Sequence, residues 1–281
     1  MFKRIFGLIA ICTCVETLSA QTQATVYEGE IGFSAGAAHY FGDLNNRASF
    51  RRPKAAAGLF FRKNFGNYVG LRLGLQVAQL GYADKYSSNE FQQSRNLSFN
   101  STIWEYSLQG DFNFFRFEPG NPYLRFTPYV TLGIGSMSFD PYAYLAGEKY
   151  YLRPLGTEGQ GSTQYPDRKP YRNTAMVFPL GMGIKYNINR TLNFHMEAVF
   201  RFTSTDYLDD VSTTFAGPDV FDPQSPAYFL QDRSYEVGIP IGTAGRQRGF
   251  SSQRDQYLMV QAGLSFNISS YRCPSPLGGR F

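Results

Sequence analysis

Three sets of residues in this chain could do chemistry. The first is Glu30, Arg62, Arg72, Glu105, Asp111, Arg125, Lys185, His195, Glu197 and Arg201. Each falls on the polar phase of a stretch that alternates apolar and polar residues, and the two signs nearly balance. If these stretches enclose one narrow interior, the set reads as an ion-pair network that plugs it, because isolated charges in a low-dielectric space are expensive. The alternative is a polar conduit or proton path. The second set is the two histidines. His39 falls on the apolar phase near a strand end, and with Asp43 and a loop serine it could mimic a lipid-modifying enzyme. A histidine at a rim is equally an ordinary interfacial residue, and His195 lies beside Glu197 on the polar phase. The third set is Asp206, Asp209 and Asp210, three carboxylates close enough to offer Ca²⁺ oxygen ligands. Their spacing matches no EF-hand, and a loop pinned by Asx turns and arginine pairs explains them as well. No phosphate-cradling glycine loop, zinc pattern or Gly-x-Ser-x-Gly elbow occurs. The residues therefore imply no cofactor, no metal and no catalysis.

The elements that would position these groups are strands. From Tyr68 to Leu80, Val69, Leu71, Leu73, Leu75 and Val77 form one face, and Gly70, Arg72, Gly74, Gln76 and Ala78 the other. A period of two means extended backbone with its faces in different surroundings. Eight such stretches run over 29–41, 54–65, 68–80, 97–115, 123–138, 174–187, 191–206 and 255–268. Gly66-Asn67, residues 116–122 and 187–190 are short turns. Residues 42–53, 81–96, 139–173 and 207–254 are long and rich in Gly, Pro, Ser and Asp. The alternation of short and long connections predicts an all-β protein, an eight-stranded antiparallel transmembrane β-barrel with four long extracellular loops and three short periplasmic turns. An even strand count places both termini in the periplasm. Rings at strand ends (Tyr40, Phe41, Tyr68, Phe114, Tyr186, Tyr207 and Tyr257) should sit at the membrane interfaces. Pro128 and Pro179 should mark bulges, since proline cannot donate to a ladder and a closed barrel has no edge.

The bulk numbers agree with a barrel. Mean hydropathy is −0.31, yet 17% of residues are aromatic and 17% charged, which fits a chain in which alternate residues face lipid. No apolar run after residue 20 approaches the roughly 20 residues that a spanning helix needs. Residues 1–20 read as a secretory signal, with Lys3 and Arg4 before an apolar centre and cleavage between Ala20 and Gln21. Residues 21–268 then form the barrel and 269–281 a periplasmic carboxyl tail. Removing Lys3, Arg4 and Glu16 takes the net charge from +5 to +4, which suits a surface near anionic lipid and is no nucleic-acid signature. Of the three cysteines only Cys273 remains, so the mature chain has no intrachain disulfide. Cys12 and Cys14 leave a lipoprotein signal as an alternative. Arg47, Arg51, Arg52 and Lys54 form a basic cluster in the first long loop, suited to lipid phosphates or simply to water.

Several segments resemble the PorG-type outer-membrane barrels of Bacteroidota, which are associated with the type IX secretion system. They are 39–45 (HYFGDLN), 107–115 (SLQGDFNFF), 124–135 (LRFTPYVTLGIG), 150–161 (YYLRPLGTEGQG), 178–186 (FPLGMGIKY) and 205–213 (TDYLDDVST). The LGTEGQG loop and the DYLDDVS corner carry most of the specificity. The resemblance implies a non-enzymatic barrel acting as an outer-membrane component or anchor of that machinery, linked to periplasmic ring proteins. Related proteins have no assigned role, so a small surface protein with a structural, adhesive or ligand-binding role is the alternative. If the barrel docks on a periplasmic ring, Arg116, Phe117, Glu118 and the tail with Cys273 are the surfaces large enough to serve.

Overall fold

The structure, a computed structural model, describes residues 26–45 and 50–270. The expectations for the signal and its Ala20–Gln21 cleavage, for Arg47, and for Cys273 in the tail lie outside the described residues. Glu28–Ile268 form one compact unit.

Ten strands occur among the described residues: β1 (Val26–Phe41), β2 (Lys54–Phe65), β3 (Val69–Ala83), β4 (Ser98–Asn113), β5 (Phe126–Ser138), β6 (Tyr142–Leu145), β7 (Glu148–Tyr151), β8 (Thr174–Asn187), β9 (Leu192–Thr203) and β10 (Gln256–Ser270). Eight of them run in the order β3-β2-β1-β10-β9-β8-β5-β4, and β3 also pairs with β4, so the sheet closes. The fold is thus the expected eight-stranded antiparallel barrel. Closure leaves the sheet without an edge strand.

The alternation becomes an outside and an inside. Leu73 is 57% exposed and Met182 66%, and among the described residues no other segment covers this apolar belt. Arg62, Arg72, Lys185 and Arg201 point inward and are at most 2% exposed. No helix among the described residues is long and apolar enough to cross a membrane.

Three expectations are corrected here. Neither proline makes a bulge. Pro128 pairs with Ile184 in an unbroken register and sits beside the end of β4, where its carbonyl still accepts from Phe114 N. Pro179 falls where the β5–β8 ladder lapses between Leu132↔Leu180 and Gly135↔Val177. Two residues are skipped on each strand, so the register holds and the missing donor is absorbed by the lapse. Tyr40 and Tyr257 do not reach the interface. They are 1% and 0% exposed, because both stand on the inward phase at the long-loop end. There they pack with Phe99, Met137, Leu208 and Val211 into an apolar core that seals the mouth. The long loops also hold structure that periodicity did not show: the β6–β7 hairpin and short helices at Glu90–Arg95 and Pro226–Gln231. The hairpin turns at Ala146 and Gly147, with φ of +50° and +88°, the two left-handed positions that a tight hairpin demands.

Candidate functional site

Ion pairs fill the interior from the short-turn end up to the apolar core under the cap. Arg62 Nη1 meets Glu30 Oε1 at 2.5 Å and its Nε meets Asp111 Oδ2 at 2.5 Å. Lys185 Nζ reaches the same Glu30 oxygen at 2.8 Å. Arg72 lies 2.7 Å from Glu197 and 3.6 Å from Asp111, and Arg201 lies 2.8 Å from Glu105. Four cations thus face four carboxylates. Neutral donors add to the ion pairs: Tyr129 OH donates to Glu197 at 2.7 Å and Tyr257 OH to Glu105 at 2.7 Å. Gly183 makes room for the Tyr129 ring, since a Cβ there would stand 2.7 Å from the phenol carbon.

Of the residues expected in the network, Arg125 does not join it. It lies just before β5, only partly buried, and makes no ion pair among the described residues. Its place in the turn carries it below the inward phase that begins with Thr127. His195 is buried in the interior but pairs with no carboxylate. Its ring stands edge-on to Phe60 at 5.1 Å, and neither ring nitrogen has a hydrogen-bond partner in the structure. Phe117 also departs from expectation. Its ring is 7% exposed and lies 5.2 Å from Lys185 Nζ, so it closes the short-turn end and offers no ring to a partner. Arg116 and Glu118 stay on the surface and pair with each other at 3.0 Å.

At the opposite end all four long loops lock into one cap. The two segments that carried the resemblance meet there. Thr157 Oγ1 donates to Asp210, and Glu158 accepts from Ser212 N at 2.9 Å and from Thr213 Oγ1 at 2.6 Å. Arg248, from the fourth loop, reaches Glu158 at 3.1 Å and the Asp210 carbonyl at 2.6 Å. Arg95 from the second loop grips Asp84 with two bonds of 2.7 and 2.8 Å and also donates to the Arg248 carbonyl. Asp43 from the first loop accepts from Phe250 N at 2.9 Å. Tyr40 OH lies 2.5 Å from Asp209 and 2.8 Å from Asp255. One hydroxyl proton cannot serve both carboxylates, so one of the two acids must carry its own.

The carboxylates of the cap outnumber Arg95 and Arg248, and their acidities show it. Burial pushes Asp210 up to about 6, against the pull of Arg248 and of the Thr157 and Tyr171 hydroxyls. Burial lifts Asp206 to about 7, opposed by its bond from Ser212 and reinforced by the charges of Asp43 and Glu158. Asp209 and Asp255 rise well above the carboxylate range, first through burial and then through the charges of Asp255 and Asp206 respectively.

The calcium reading of Asp206, Asp209 and Asp210 finds no geometry. Asp206 accepts from Ser212, Asp209 from Tyr40 and Asp210 from Tyr171. Among the described residues no three metal-binding side chains converge. His39 is buried rather than lipid-facing, because Phe50 stacks over it at 5.2 Å; its Nε2 lies 3.1 Å from Asn45 Nδ2. Asp43 meanwhile turns its carboxylate to Phe250. Sequence reading missed Glu158 and Arg248 as the centre of the cap. Glu158 lay inside the LGTEGQG segment, but Arg248 sits in a loop with no periodic signal. Glu158→Ala should remove the carboxylate partner at 3.1 Å from Arg248 and the acceptor from the Ser212 and Thr213 N–H groups, and weaken the cap by about 2 kcal/mol. Limited proteolysis of the folded barrel should then cut the third and fourth loops faster while the strands stay protected.

Residues 3–216 match a family whose description is Domain of unknown function (DUF6089). No curated protein matches the chain. Among solved structures the chain is similar to Neisserial surface protein A (NspA), at 8% identity and a TM-score of 0.41, covering 87% of this chain and 99% of that one. It is also similar to Ail, the attachment invasion locus protein of Yersinia pestis, at 12% identity and a TM-score of 0.37, covering 86% and 99%. For outer membrane protein OprG from Pseudomonas aeruginosa the figures are 11% identity, a TM-score of 0.35, and 87% and 98%.

Proposed function

The chain belongs to the family described as Domain of unknown function (DUF6089), and we propose that it is a non-enzymatic outer-membrane barrel serving as a component or anchor of the type IX secretion machinery. The observation that carries the anchor reading is an interior closed at both ends and paired within. Phe117 and the ion pairs fill the short-turn side, and the apolar core under the cap fills the other. A stoppered cylinder does not pass solutes, so its use lies in what its ends hold. The assignment to type IX secretion is supported by the resemblance of the LGTEGQG and DYLDDVS segments, which meet in the cap.

In this reading the apolar belt meets outer-membrane lipid, the long loops face outward and both termini are periplasmic. Periplasmic ring proteins would find Arg116 and Glu118 at the second turn and the tail with Cys273. Deleting the gene and assaying cargo proteins in the medium tests the assignment. A secretion block is expected. Unchanged secretion sinks it and leaves the second reading, a surface protein that binds a neighbour through its loops. That reading is favoured by Val237 and Ile239, 59% and 85% exposed near one another in the fourth loop.

A further inference from the structure

The outward face of the barrel does not stop at the apolar belt. Trp104↔Ser138 is the last rung of the β4–β5 ladder, and β6 takes up the same register against β4 at Asn100↔Tyr142 after a break at Phe139–Pro141. Trp104, Thr102 and Tyr142 therefore climb one continuous outward face, with Asp140 beside Thr102. The β6–β7 hairpin widens that face. Tyr142 pairs with Tyr151 and Tyr144 with Lys149, so all four point the same way.

Between hairpin and barrel lies an open cavity of about 240 Å³, lined by Trp104, Tyr142, Tyr151, Lys149, Asp140 and Thr102 among others. Trp104 is 48% exposed and Tyr151 45%. The Lys149 ammonium is held 3.8 Å from the Tyr142 ring centre and 4.4 Å from that of Tyr151, and it donates to Tyr151 OH at 3.0 Å. The rings thus fix a cation at the cavity's edge, and Asp140 and Thr102 supply acceptors and a hydroxyl.

We propose that this cavity binds the phosphorylated saccharide headgroup of an outer-leaflet glycolipid, with the sugar against the Trp104 and Tyr151 rings and the phosphate on Lys149. The inference rests on the outer-membrane reading above. The cavity's position and its height select the occupant. The cavity opens on the lipid-facing wall directly above the belt, where aromatic girdles meet headgroups, so its occupant arrives along the membrane surface. Its height selects a sugar: from Trp104 to the level of Tyr142 is four residues of tilted strand, on the order of 10 Å. A phospholipid headgroup zone is only roughly 5–8 Å deep, so a taller headgroup is needed to touch both ends. Sugars stack their apolar faces on rings and use flanking polar groups for their hydroxyls, which is the mixture present here.

Trp104 is the chain's single tryptophan, so its emission reports on this cavity alone. The full chain, folded in detergent, is titrated with purified lipopolysaccharide and separately with phosphatidylglycerol in matched micelles. A saturating shift in Trp104 emission is expected with lipopolysaccharide, at concentrations at least tenfold lower than any response to phosphatidylglycerol. The double variant Lys149→Ala, Tyr151→Ala should raise the half-saturating concentration at least tenfold. Equal responses to the two lipids overturn the proposal, as does lipopolysaccharide binding unchanged in the double variant. Heat-modifiable gel migration confirms folding, and Lys149→Gln, an exposed single change, replaces the double variant should that one not fold. A wild-type barrel that folds but ignores lipopolysaccharide removes this proposal alone. A wild-type chain that stays dissolved without detergent removes the membrane reading and this proposal with it.

Discussion

Replacing Arg62 with methionine should lower the stability of the barrel by about 3–5 kcal/mol, the largest loss expected from any single change in the plug. Arg62 is the bridge of the lower network. Its two bonds hold Glu30 and Asp111, and both carboxylates are almost fully enclosed, at 1% and 3% exposed. Without the guanidinium, Glu30 keeps Lys185 and the bonds from Asn193 and Ser265. Among the described residues Asp111 keeps only Arg72 at 3.6 Å. The cost is mostly that of carboxylates left buried and under-compensated, rather than the net worth of the pair. A further change of Asp111 to asparagine should therefore recover part of the loss. Urea unfolding in detergent, followed by gel migration, measures both. An Arg62→Met barrel as stable as the wild type, or a second change that only adds damage, would show that the plug is not an electrostatic unit.

The second large effect is on pH, and its sign is opposite to that of most salt-bridged proteins. The acids of the cap have folded pKa values above their unfolded ones. Asp210 stands at about 6 and Asp206 at about 7 against an ordinary 3.8, and Asp209 and Asp255 are raised as well. A raised carboxyl contributes its stability in the protonated form. That contribution is complete below the unfolded pKa and is lost as pH climbs through the folded one. The cap should therefore be tightest at or below about pH 4 and loosen from there to about pH 7. For fully buried Asp210 the rise from 3.8 to about 6 corresponds to about 3 kcal/mol; Asp206 contributes less, because it is partly exposed and water screens it. The shared contact of Tyr40 with Asp209 and Asp255 gives the same sign by geometry alone, since one acid there must hold a proton.

Hydrogen exchange of residues 206–213 and 246–255 in the folded barrel should quicken as pH rises from about 4 to about 7, after correction for the intrinsic rate. Asp255→Asn should flatten that dependence, because it keeps an acceptor for Tyr40 without a charge. A cap that tightens as pH rises would contradict this account. The strands should respond little, because their cations and carboxylates are matched in number.

The sequence by itself determined the cylinder. In β3 the odd residues from Val69 to Val77 are apolar and the even ones polar or small, and extended backbone admits only one meaning for that period. Eight such stretches joined by alternating short and long connections left little choice of topology. Faces are local properties, since each residue's side follows from its neighbours in the chain, so Met182 and Phe178 could be placed outside and Arg72 and Glu197 inside before any contact was known. The tertiary structure decided who meets whom. Arg72 and Glu197 are 125 residues apart, and within a ring of eight strands an inward arginine can reach carboxylates on several walls. Register and side-chain length choose among them, and neither is written in the alternation. The same limit explains Arg125 and Phe117. A turn has no period, so nothing local said that the arginine would fall short of the lumen while the phenylalanine bent into it. The cap was less legible again: Glu158, Asp210 and Arg248 come from irregular segments, brought together only because the closed barrel fixes where the four loops begin and end.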